Sequence, residues 1–126
     1  MASNANLPSA FDVYTLVLLL RPTSAPEMSD DELAALQEQH LAYRGDLRAR
    51  GLTVANGPVM SQSDESYRGV TIFACDPAEA TRLSAADPSV IAGRLTFEVM
   101  EWWVPADSID FPNAIGSVGE RRSMPN

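Results

Sequence analysis

The feature that most limits what this chain can fold into is the run Leu16-Val17-Leu18-Leu19-Leu20, halted at Arg21-Pro22. Together with Phe11 and Val13 it defines an apolar stretch, Phe11 to Leu20, too short for a typical buried helix and closed by a proline that disfavours helical backbone just before it. The stretch reads as a strand. Alternate residues of a strand face opposite ways, so from Leu16 onward both faces of the sheet are apolar. Helices can cover one face. The other needs a second cover, and a homodimer with two sheets face to face supplies it.

The remaining elements follow from local signals. Ser29 with Glu32 three residues on has capping-box spacing, and Asp30 and Asp31 add negative charge at a helix start. Leu33, Leu36, His40, Tyr43 and Leu47 then recur along one helical face, and Gly51 supplies a C-terminal stop. Leu52 to Asn56 reads as a short strand ended by Gly57-Pro58, and Arg68 to Ala74 as another. Asp76-Pro77-Ala78-Glu79 opens a second helix to about Ala86, and Asp87-Pro88 caps a further short turn before Gly93. Leu95 to Val104 is the last strand, with Leu95, Phe97 and Val99 on one face and Thr96, Glu98, Met100 and Trp102 on the other. The order strand, helix, strand, strand, helix, strand predicts an α+β, ferredoxin-like βαββαβ fold with an antiparallel sheet over residues 11–104. Residues 1–10 and 105–126 read as tails. Ile109, Phe111 and Ile115 suit the second tail to packing on a partner subunit.

Composition narrows the function. At 126 residues and 45% hydrophobic content the chain fits one domain, and a domain of this size gains from extra burial against a second copy. A net charge of −8, from 17 acidic and 9 basic residues, argues against nucleic-acid and anionic membrane partners. No apolar run reaches the roughly 20 residues of a membrane span, and the first residues lack an export signal. Cys75 is the sole cysteine, which suits a reducing compartment and predicts a cytoplasmic protein. All basic residues are arginine, so a lysine Schiff base and a phosphate-loop lysine are both excluded.

The chemistry centres on His40, the only histidine. An imidazole titrates near about pH 6.5 in model peptides, so it both gives and takes a proton near neutrality. A hydrogen-bonded core histidine would occupy the same apolar stripe. Asp87 is a natural N-cap, but a carboxylate brought to His40 would fix its tautomer and stabilise its charged form. No metal is expected, because one histidine, one cysteine and no clustered carboxylates fall short of a ligand set. Cys75 reads as structural. With no dinucleotide fingerprint, phosphate loop or serine-hydrolase elbow in the sequence, the enzyme class left is cofactor-free proton transfer. Tyr14, Tyr43, Arg44, Arg94 and Trp102 are candidates to bind a small anionic or aromatic ligand.

Several of these pieces stand in a familiar order: Gln39-His40-Leu41-Ala42-Tyr43, Gly51-Leu52, Gly57-Pro58-Val59, Ala86-Asp87-Pro88-Ser89-Val90 and Ala92-Gly93. On them the chain resembles the YciI-like, or YCII-related, family. The resemblance implies a dimeric α+β barrel with a His-Asp pair as its suspected centre, here His40 and Asp87. Related folds host muconolactone isomerases and cofactor-free oxygenases, and one YCII-like branch includes a dehydrochlorinase of a chlorinated hydroxyquinol. The expected function is a small-molecule lyase or isomerase using His40 and Asp87 on a cyclic or carbonyl-bearing metabolite, with Tyr14, Tyr43, Arg94 and Trp102 holding the substrate. The alternatives are a non-catalytic ligand-binding or accessory protein and a cofactor-free oxygenase.

Overall fold

The Leu16–Leu20 run lies at the centre of a sheet. The computed structural model describes residues 7–112 and 118–123, so Ile115 lies outside the described residues. β1 (Ala10–Leu20) is flanked by β3 (Tyr67–Phe73) and β4 (Thr96–Pro105), and β2 (Thr53–Pro58) pairs with the outer side of β3. All pairings are antiparallel and the order is β2-β3-β1-β4, the ferredoxin-like arrangement. No helix is long and apolar enough to cross a membrane among the described residues.

α1 (Asp30–Ala49) begins at Ser29, whose hydroxyl accepts from the Glu32 amide while the Glu32 carboxylate accepts from the Ser29 amide, each at 3.2 Å. It ends in a Schellman motif: Gly51 takes φ 74°, its amide donates to Arg48 and that of Leu52 donates to Leu47. α2 (Pro77–Ala85) is capped by Asp76, and α3 (Pro88–Ile91) by Asp87. The core between helices and sheet is built from Val17, Leu19, Leu47, Phe73, Ala80, Leu83 and Leu95. Phe97 and Val99 pack against it, as the alternation along β4 predicts.

Two expectations change. The buried stripe of α1 is turned by about one residue from the apolar one: Leu33 and Leu36 are half-buried, whereas Arg44, between His40 and Leu47 at helical spacing, is buried. Residues after Val104 are also more than a tail on a partner. β5 (Glu120–Ser123) pairs with Ala10–Val13 of β1, while β3 holds Thr15–Leu20 of the same strand. Since β4 runs the full length of β1's other edge, β3 and β5 share one edge end to end. Ile109, Phe111 and Val118 pack against Tyr14, Ile72 and Val104 on the helix-free face, so this chain covers part of that face itself. Arg121 fastens β5 in place, donating to both oxygens of Asp12 (2.7 and 3.1 Å) and to Asp107 (2.7 Å).

Candidate active site

Asp87 follows Ala86, the C-cap of α2, and starts α3, and Pro88 at the first helical position leaves the Asp87 side chain free to turn back as a cap. α3 packs against α1, and this brings the carboxylate, 0% exposed, to the middle of α1. Three donors converge on it. The Ser89 amide donates to Oδ1 (2.8 Å) and Arg44 Nε to Oδ2 (2.9 Å). His40 Nδ1 lies 2.8 Å from Oδ2 and 3.0 Å from Oδ1. The pair nominated from sequence 47 positions apart is therefore in direct contact.

The electrostatics set the roles. Burial pushes the Asp87 carboxyl upward, but the hydrogen bonds from His40 and Ser89 and the charges of His40 and Arg44 outweigh it and hold the group below the ordinary carboxylate range. An ionised carboxylate only accepts, so Nδ1 of a neutral His40 carries the hydrogen and Nε2 keeps the lone pair. No other described residue hydrogen-bonds to the His40 ring, whose side chain is 13% exposed. His40 lines a cleft of about 210 Å³ between α1 and the ends of β2 and β3, together with Arg21, Gln37, Asn56 and Arg68.

Arg44 is the residue that apolar periodicity hides. It is 3% exposed and ties Asp87 to the sheet, its Nη1 donating to Thr71 (3.3 Å), whose hydroxyl donates to the Asn56 side-chain oxygen (2.7 Å). A polar chain thus runs from Asp87 through the core to Asn56, which lines the His40 cleft. The i, i+4 spacing of His40 and Arg44 was the available signal, since both then face the same neighbour.

The other nominated binding residues separate from this site. Tyr14 and Trp102 are paired on β1 and β4, with ring centroids 6.2 Å apart, on the sheet face opposite the helices. The alternation of β1 dictates this, because Leu19, which lines the His40 cleft, is an odd number of residues from Tyr14. Tyr43 packs against the core and donates its hydroxyl to the Leu83 carbonyl (2.7 Å), a strut between α1 and α2. Arg94 stands beside the cleft: its Nη1 donates to the Pro26 carbonyl (3.0 Å), and its own carbonyl accepts from Arg21 Nε (3.2 Å). Cys75 is pushed up to about 11 by burial and by the charges of Glu79 and Asp76, so it stays a thiol at neutral pH. Among the described residues no three His, Cys, Asp or Glu side chains come together as a metal site.

Compared with known families, residues 15–103 match the model of the YCII-related domain. No curated protein matches the chain.

Proposed function

The chain belongs to the YCII-related domain family, and on that premise we propose that it is a cofactor-free lyase or isomerase in which His40 moves a proton and Asp87 orients it. The observation that carries this reading is the 2.8 Å contact between His40 Nδ1 and a buried, ionised Asp87, which leaves Nε2 as a base at a cleft. A carbonyl-bearing substrate gives up a C–H proton to Nε2. The resulting imidazolium is stabilised by Asp87 and returns the proton to another carbon (isomerisation) or to a leaving group (elimination).

The test is C–H to C–D exchange in D₂O, followed by ¹H NMR, over a panel of small cyclic and open-chain carbonyl compounds. Wild type is expected to exchange at least one member, and His40→Ala to lose that exchange. Equal exchange by His40→Ala would overturn the reading. The second reading is a ligand-binding or accessory protein. It is favoured by the structural employment Asp87 already has as the cap of α3 and the counter-charge of Arg44, and binding without exchange across the panel would select it.

The same proposal includes a homodimer through the helix-free sheet face. There Met100 (37%) and Trp102 (40%) stay exposed beside half-buried Leu16 and Leu18. It also includes a cytoplasmic setting, which fits a lone cysteine held as a thiol.

A further inference from the structure

The charge lining the cleft in front of His40 is opposite in sign to that of the whole chain. With 17 acidic residues in 126, carboxylates are the commonest charged groups, yet among the described residues none lines the His40 cleft. Arg21 and Arg68 do. Among the described residues neither forms an ion pair, and the same holds for neighbouring Arg94. The Arg21 guanidinium is lowered from its ordinary value by burial and then by the like charges of Arg94 and Arg68, which places three uncompensated cations together.

A second cleft, of about 430 Å³, continues from the first through the shared residues Leu41 and Asn56. Among the described residues it too has no carboxylate in its lining, which includes Arg44 and Arg48. Arg44 Nη2 is buried and, among the described residues, without a hydrogen-bond partner, an orphan donor where an oxygen would be stabilised. Elsewhere the arginines are neutralised in place: Arg50 by Asp46, Arg82 by Glu79, Arg121 by Asp12 and Asp107, and Arg122 by Glu101 and Glu120.

We infer that the His40 cleft takes a small carboxylate, seated by Arg21 and Arg68 with its reacting carbon toward His40 Nε2. The inference rests on the cleft being the working site. Like-charge crowding of unpaired arginines costs stability unless an anion relieves it, and a guanidinium matches a carboxylate through paired N–H donors. At about 210 Å³ the His40 cleft is below the usual size for drug-sized ligands, roughly 300–1,000 Å³, so the anion is small.

The experiment uses the single histidine as its own reporter. Imidazole signals of the full chain are followed by ¹H–¹⁵N NMR during titration with benzoate, and in parallel with benzamide, of like shape but without charge. Benzoate is expected to shift the His40 signals saturably and benzamide to leave them in place. Arg21→Gln and Arg68→Gln should each raise the benzoate Kd roughly tenfold or more, the loss of a charge-assisted contact. Arg122→Gln on β5 should leave it unchanged. Equal binding of benzamide, or unchanged Kd in both cleft variants, overturns the inference. Because Arg68 makes no contact with the Arg94 carbonyl that Arg21 supports, folding damage in Arg21→Gln would leave Arg68→Gln decisive. Carboxylate binding with exchange unaffected by His40→Ala would defeat the proton-transfer reading alone. His40-dependent exchange without carboxylate preference would defeat this inference alone.

Discussion

One buried carboxylate, that of Asp87, caps α3, neutralises Arg44 and orients His40. Asp87→Ala therefore removes more than the proposed partner of His40. It strands Arg44 as a buried, uncompensated cation, at a cost of about 3–5 kcal/mol, to be measured by urea denaturation. Activity lost in that variant would be ambiguous, so His40→Ala is the cleaner test of chemistry. The depressed pKa of Asp87 also fixes a pH dependence. Its contribution to stability is fully present above the unfolded carboxyl value of about 3.9, and it is lost as pH falls through the lower folded value. The stability gap between wild type and Asp87→Asn should accordingly narrow as pH drops below about 4, read from urea midpoints between neutral and strongly acid pH. Parallel curves would contradict the assignment. His40 and Asp87 were legible in the sequence because each breaks a local pattern, an imidazole on an apolar stripe and an Asp before Pro. Arg44 was named only as a possible ligand contact, and Arg21 and Arg68 were not singled out, because a charged side chain on a helix or beside a turn reads as solvated until the tertiary contacts are known.

Among the elements, those with covalent or capping punctuation were read closely from sequence: Ser29 and Glu32 start α1, Gly51 stops it, and Asp76-Pro77 and Asp87-Pro88 open α2 and α3. β5 was missed. Glu120-Arg121-Arg122-Ser123 has neither β-branched residues nor apolar alternation, and its strand state comes from β1's open edge and the Asp12–Arg121 pair. A glycine makes that docking possible. Gly119 has φ 78°, and a Cβ there would lie 2.8 Å from the Tyr14 ring and from the Val13 carbonyl oxygen. Gly119→Ala thus meets both a strained backbone and a ring held within the core. It should destabilise the protein by about 1–3 kcal/mol and speed amide hydrogen exchange in residues 120–123 ahead of the rest of the sheet. Unchanged protection in β5 would show that the strand is held by its arginine alone.

For the whole molecule, the run of apolar residues in β1 correctly demanded cover on both faces, but sequence could not divide the task. Helices cover one face, and Ile109, Phe111 and Val118 cover the Tyr14 end of the other. What is left, around Leu16, Leu18, Met100 and Trp102, is the surface assigned to a second copy. A charge placed there should separate the copies: Met100→Glu with Trp102→Glu is expected to halve the mass seen by light scattering while retaining circular dichroism. A wild-type mass of one chain would remove the dimer from the proposal.

The pairing of Ala10 with Ser123 has a consequence for how this domain can be joined to others. Chain enters and leaves the sheet side by side, at the end of β1 remote from Leu19 and Arg21, roughly 30 Å along the strand at about 3.3 Å per residue. The cleft is therefore insulated from both attachment points. Insertion of the domain into a host loop is therefore expected to leave the cleft end of the sheet undisturbed.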